Sequence, residues 1–411
     1  MRKNKFSGAL TVALALMVTG SLTAGPSASA QTEKVLHSFN GPGEAGGLYP
    51  NGGLIVDAAG NLYGTTPGDG NSCTGSTCGT VFELVPATGG AYTEKVLHAF
   101  SRSGKDAWNP EAGLAMDASG NLYGTTIAGG AYGEGVAFKL TLTDGAWTET
   151  VLHSFGASSK DGVEPLGALI LDAAGNVYGT TYSGGAHNSG TVFEISPNGS
   201  GGWTEKVLLA FNGDDGAYPF AKLTMDGAGN LYGSTTESNT SSGTAFELSP
   251  VAGGHWTATT LYYFTVAPSA GFVLDASGNL YSTTASGGTN GEGAVIELSK
   301  STGGTWTEQV LYSFCSLTDC GDGSAPNGVV FDSAGNLYGT TYNSGAYQYG
   351  TAFKLMPATG GIWTATVLHS FGNGTDGASP NGVVLDASGN LDGATVYGGK
   401  HGYGTVFQIA P

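Results

Sequence analysis

Asp57-Ala58-Ala59-Gly60-Asn61-Leu62-Tyr63-Gly64-Thr65-Thr66 returns along the chain with small changes, and its recurrence decides the fold. The Asn of its Gly-Asn pair stands at Asn61, Asn121, Asn176, Asn230, Asn279, Asn336 and Asn390, at spacings of 60, 55, 54, 49, 57 and 54 residues. A period near 55 residues built from strand-length pieces is the signature of a β-propeller blade.

Each repeat resolves into four such pieces. An apolar run ending in Asp, such as Leu54 to Asp57, is followed by the Asn-Leu-Tyr-Gly-Thr-Thr piece. A third piece of the Gly79 to Leu84 type recurs at Gly190 to Ile195 and Gly404 to Ile409, and a fourth of the Val96 to Phe100 type usually follows Trp-Thr-Glu. Their apolar residues are β-branched or aromatic, glycines bound every piece, and no stretch after the leader has helical periodicity. In Asp-x-x-Gly-Asn the Asp accepts backbone N–H bonds across a hairpin and Gly supplies the positive φ. Calcium binding by seven such Asp residues is not expected.

The chain ends fix the closure. Fourth-type strands begin at Val35, Val96, Val151, Val207, Thr260, Val310 and Val367, so the chain opens with a fourth strand and closes with a third. The expected fold is an all-β, seven-bladed propeller with four-stranded blades over residues 31–411, its ring closed by Val35 to Phe39 completing the last blade beside Gly404 to Ile409. No blade then lacks its outer strand.

Composition agrees. Gly supplies 72 of 411 residues, beside 19 Tyr, 17 Phe and 6 Trp; average Gly usage is only about 7 %. Tight turns between short buried strands need both. With 14 Lys+Arg against 32 Asp+Glu, the net charge is −18, which repels phosphate backbones and anionic lipid and excludes nucleic acid as a partner. Met1 to Lys5 is basic, Ala9 to Val18 apolar, and Ala28-Ser29-Ala30 offers a cleavage site before Gln31. Residues 1–30 read as a secretory signal peptide, too short in its apolar run to insert in a membrane. Removing Arg2, Lys3 and Lys5 takes the net charge from −18 to −21. A secreted, extracellular or periplasmic monomer is expected. Cys73 with Cys78 and Cys315 with Cys320 read as two short disulfides in an oxidising compartment, rather than one four-Cys zinc site.

The unit V-L-x-S-F, D-G-x-x-P, D-x-x-G-N-L-Y-G-T-T, G-T-x-F-E-L, G-G-x-W-T-E resembles the choice-of-anchor GloVer tandem-repeat family of secreted bacterial proteins. Its D-x-x-G-N-L-Y hairpin resembles NHL and streptogramin-lyase propeller repeats. The resemblance covers residues 32–411 and implies export and a propeller, but no reaction. Family members often carry a C-terminal sorting anchor; Pro411 follows the last predicted strand by two residues, so anchoring of that kind is not expected.

Repetition supplies an internal control: a residue serving the fold recurs in its column, while one serving a ligand breaks it. His37, His98, His153 and His369 share a column with Leu209, Tyr262 and Tyr312 and read as half-buried strand residues. Trp147, Trp203, Trp256, Trp306 and Trp363 likewise read as packing. Asp106, Asp161, Asp215, Asp322 and Asp376 share a place before Pro and read as turn caps. No motif names a catalytic residue, a cofactor site or a metal site. The variable loops on the face opposite the Asp-x-x-Gly-Asn hairpins carry the candidates. Trp108, Tyr132, His187, Tyr347 and His401 form an aromatic-rich rim suited to sugar rings or a peptide. Lys222 breaks a column of Gly53, Gly113, Ala168, Gly271, Gly328 and Gly382 at the channel mouth. With Asp215 and Tyr218 beside it, Lys222 would hold a carboxylate such as a uronate; the plainer reading is an amine that reaches solvent or pairs with Asp214 or Asp215. A non-catalytic binding module for an extracellular glycan or surface protein is the expected function. A carbohydrate lyase or hydrolase and a ligand-free spacer are the alternatives.

Overall fold

A computed structural model of the chain describes residues 33–41, 46–68, 78–102 and 106–410. The predicted signal peptide and Cys73 lie outside the described residues. The propeller occupies the unit Gln31–Pro411. Seven four-stranded antiparallel sheets follow one another, and blade 1 is built from Ile55–Val56, Leu62–Thr66, Thr80–Pro86 and Tyr92–Ala99 in that order. Blade 7 closes as expected. Its strands Gly377–Leu385, Leu391–Gly398 and Thr405–Ile409 are completed on the outside by Glu33–Ser38, with Val35 opposite Phe407.

The repeated residues explain one another through packing. In blade 1 a Cβ on Gly64 would stand 2.6 Å from Phe82 Cζ and 2.8 Å from Leu54 Cδ2, so the glycine makes room for the third-strand Phe. Five further blades repeat this with Gly124, Gly179, Gly233, Gly339 and Gly393. Blade 5 has Ser282 there, and opposite it Ile296 replaces the Phe. These aromatic rings join the blades. Phe39 meets Phe82 at 5.3 Å, Phe100 meets Phe138 at 5.2 Å, and Phe371 meets Phe407 at 4.8 Å, each a blade-to-blade contact between fully buried rings. Edge-on geometry suits such pairs, which add about 0.5–1.5 kcal/mol beyond area burial.

The Gly-Thr-Thr threonines divide the same labour. Thr65 Oγ1 donates to Ala112 O of the next blade at 2.8 Å, while Thr66 Oγ1 pairs with Thr80 Oγ1 at 2.7 Å inside its own blade. At each hairpin tip the Asp behaves as its column suggested. Asp57 accepts from the Ala59 and Asn61 N–H groups, both at 2.9 Å, and also from Asn61 Nδ2 at 2.8 Å and the Tyr63 hydroxyl at 3.1 Å. Burial pushes the Asp57 carboxyl up, but these four bonds together hold it below the ordinary carboxylate range.

Every blade also bulges at one place. The outer strand gains a residue at the Leu of Val-Leu-x, as between Val35 and His37, and a bulge re-aims the side chain that follows it.

Candidate functional site

The innermost strands of blades 1 to 5 are only two residues long and face the ring axis across a shared channel. Ile55–Val56, Ala115–Met116, Ile170–Leu171, Thr224–Met225 and Val273–Leu274 line it. Lys222 stands where the chain enters the fourth of these strands. It borders both a cavity of about 470 Å³ against Ala270 to Leu274 and Asn327 to Val330, and one of about 340 Å³ against Leu114 to Met116 and Leu169 to Leu171. It is the one charged side chain among the described residues lining either space. The amine meets the water of the channel, yet the enclosing wall desolvates it and holds its pKa below that of an ordinary lysine.

The expected partners lie elsewhere. Asp215 Oδ1 accepts the Asn212 N–H at 2.9 Å, Asp214 Oδ1 accepts Asn239 Nδ2 at 2.8 Å, and Tyr218 stacks on Tyr182 at 5.1 Å. None of the ion pairs among the described residues involves Lys222. The reading that pairs its amine with Asp214 or Asp215 is therefore set aside.

Three asparagines on the same face escaped the sequence reading. Asn327, which lines the larger cavity, donates to Pro380 O at 2.7 Å and to Asn381 Oδ1 at 3.2 Å; Asn381 donates to Asn51 O and, at 3.1 Å, to Asn51 Oδ1. This seam crosses blades 6, 7 and 1. Asn51 also lines a cleft of about 370 Å³ walled by Tyr49, Tyr342, Tyr397, Asn109 and Glu111. Tyr49 sets its ring edge-on to Tyr397 at 5.5 Å, and the buried Asn109 Oδ1 has no hydrogen-bond partner. The available signal was Pro-Asn-Gly, which occurs at Pro50, Pro326 and Pro380.

The predicted rim separates into two classes. Tyr132, His187, Tyr347 and His401 are exposed, each on the second-to-third loop of its own blade, 2, 3, 6 and 7. Trp108 is a packing residue: it pairs with Ala128, lies under the Arg102 guanidinium at 4.2 Å, and rests on the core around Phe100 and Leu114. Tyr349 and Tyr403 cover Gly372 and Gly41, as small loop residues require. Cys315 and Cys320 form a disulfide in the loop from blade 5 to blade 6, and Cys78 is also disulfide-bonded.

The histidine column is half-buried, as its position suggested, but it has partners the repeat period hid. His37 lies 3.3 Å from Glu94, and His98 3.6 Å from Glu149, across the blade junction; His153 and His369 sit 3.1 and 2.7 Å from Asp161 and Asp376. Burial drives His37 down to about 4 and lifts Glu94, Glu149 and Glu205 to about 7. The Asp residues cap their loops too. Asp106 accepts the Ser101 and Ala107 N–H groups, and Asp322 those of Ser316 and Leu317.

With the blades and loop face described, comparison with known proteins decides the family. The Gloeobacter/Verrucomicrobia repeat matches residues 75–272 and 241–411. The chain belongs to that repeat family. Among solved structures, this GloVer-repeat propeller is similar to a putative 6-phosphogluconolactonase from Bacteroides uniformis, at 16 % identity and TM-score 0.50 over 82 % of this chain and 88 % of that one. It is also similar to a protein of unknown function from Dyadobacter fermentans, at 11 % identity and TM-score 0.45 over 92 % and 99 %. At these identities the likeness is one of fold. No curated protein matches the GloVer chain in sequence.

Proposed function

We propose that this GloVer-repeat propeller is exported and acts as a binding module for an acidic carbohydrate laid across its loop face, with the acid group seated at Lys222. The observation that carries the reading is the lone amine in an apolar channel. A partly desolvated cation without a carboxylate partner gains most from an incoming anion, which supplies both a counter-charge and hydrogen-bond acceptors. The Asn51–Asn381–Asn327 seam leads from that mouth to the tyrosine cleft, offering hydrogen bonds to sugar hydroxyls and aromatic faces to sugar rings. A chain of net charge −18 repels such a ligand at long range, so affinity should rise with salt until local pairing is screened as well.

The test is calorimetric titration of residues 31–411 with oligogalacturonate and with a neutral oligosaccharide of equal length. Preference for the acidic sugar is expected, with Lys222→Ala weakening it at least tenfold and Tyr397→Ala weakening both sugars. Equal binding of the two sugars, or an unchanged Lys222→Ala, overturns the assignment. The putative lactonase among the fold neighbours motivates one control. Release of cleavage products during the titration would replace the binding reading with a catalytic one.

A further inference from the structure

Among the described residues, three blade junctions gather one imidazole and two carboxylates at a point. The sets are His98, Asp106 and Glu149; His153, Asp161 and Glu205; and His369, Asp376 and Glu33, each with ligand atoms within 4.8 Å of one another. The His follows the bulge of an outer strand, the Asp comes from the loop after it, and the Glu comes from the outer strand of the next blade. We propose that these His–Asp–Glu sets bind divalent transition-metal ions, zinc the best match, and so staple neighbouring blades together.

Orphaned atoms point the same way. Glu33 Oε1, Glu149 Oε1, Glu205 Oε1 and His98 Nε2 are sealed from solvent without a hydrogen-bond partner. A buried unsatisfied carboxylate oxygen is costly, and an ion satisfies it directly. Two carboxylates neutralise one divalent charge, while an imidazole beside them favours zinc over calcium or magnesium. Zinc holds N and O ligands at about 2.0–2.1 Å, which spaces tetrahedral donors about 3.3 Å apart. The pairs His153 Nε2 to Asp161 Oδ2 at 3.1 Å and His98 Nε2 to Glu149 Oε2 at 3.6 Å bracket that spacing, while His369 Nε2 to Asp376 Oδ2 at 2.7 Å would have to lengthen to admit an ion. The Asp ligands are held by backbone donors, Asp376 Oδ1 by the Gly377 N–H at 2.6 Å and Asp161 Oδ2, the oxygen that also faces His153, by the Ala157 N–H at 2.9 Å. The His side chains retain about a fifth of their exposure, 21 % for His98 and 18 % for His153 and His369, leaving an approach for the ion and a position for water.

The chain supplies its own blanks. Leu209 faces a junction whose Glu position is Ala258, leaving only Asp215. Tyr312 donates its hydroxyl to Asp322 Oδ2 at 2.7 Å, and Ala365 holds the Glu position. Tyr262 faces Glu308 across a short Thr265-Val266-Ala267 loop that carries no Asp. These three junctions lack both the His and one carboxylate. The seventh keeps His37 beside Glu94 but has Gly46 in the Asp place, so it is a one-carboxylate junction that should hold no ion.

The experiment strips residues 31–411 with EDTA, then titrates zinc, manganese and calcium by calorimetry, with metal content read by mass spectrometry. Zinc should bind at the three junctions, more tightly than calcium, and raise the thermal midpoint. His98→Leu with Glu149→Ala copies the Leu209–Ala258 junction and should remove one ion per chain while the circular dichroism of the strands is kept. Glu149→Gln, which preserves shape and hydrogen bonding, should weaken one site at least tenfold even if the double variant folds poorly. Absence of zinc uptake by the stripped chain, preference for calcium, or full stoichiometry in both variants overturns the proposal. Lys222→Ala leaves these sites untouched, so the channel reading stands or falls separately.

Discussion

A single residue in the last blade carries a stability switch. Asp392 stands where six blades have Tyr63, Tyr123, Tyr178, Tyr232, Tyr281 and Tyr338, and Gln408 stands where blade 1 has Glu83. Only 2 % of Asp392 is exposed, and Gln408 Nε2 donates to its Oδ1 at 3.0 Å. Burial pushes this carboxyl up to about 7; the Gln408 bond opposes that and the nearby Asp386 charge adds to it. The folded value lies above that of the unfolded chain, so the folded state holds the proton more tightly. The cost of ionising Asp392 is absent below about pH 4, grows between about pH 4 and 7, and is complete above that, amounting to about 1–4 kcal/mol. Asp392→Asn should therefore raise the urea midpoint at pH 8 and leave it unchanged at pH 4. A gain equal at both pH values would show that the carboxyl is not buried in its protonated form.

At the scale of elements, the strand Glu33–Ser38 is the one joined to its blade only through space. It pairs with Thr405–Ile409 across nearly the whole chain, and it brings Leu36 and, just beyond it, Phe39 into the cluster of Phe82 and Leu84. A chain started at Asn40 loses both side chains and leaves the third strand of blade 7 as an open edge. Truncating one large buried side chain costs about 2–5 kcal/mol, so losing two should lower the urea midpoint steeply and promote association through the freed edge. Size-exclusion chromatography and urea titration read both effects, and an unaltered midpoint would contradict the closure.

At the scale of the whole molecule, the proposed export bears on how the ring closes. The Cys315–Cys320 disulfide fits a compartment outside the cytoplasm, and no helix among the described residues is long and apolar enough to cross a membrane. Export with cleavage after Ala30 would make Glu33 the third residue of the mature chain, so the closing strand would begin almost at the new N-terminus. Intact-mass analysis of the protein recovered from outside the cytoplasm should give a chain beginning at Gln31; a mass that retains Met1 to Ala30 would refute processing there.

The blade count, the four-strand unit, the closure and the hairpin role of the Asp-x-x-Gly-Asn motif were all legible in the sequence, because each is a local pattern repeated seven times or a consequence of counting the ends. Lys222 was also legible, as a charge in a column of Gly and Ala. The tertiary structure alone decided who faces whom. It turned Asp215 and Tyr218 away from Lys222, put Trp108 beneath Arg102, linked Asn51, Asn327 and Asn381 across three blades, and set His98 against Glu149, 51 residues ahead. Column comparison aligns equivalent places within blades, whereas these contacts cross from one blade to the next. Their distances depend on the twist of each sheet and the packing of Phe against Gly, which fix how closely neighbouring blades approach.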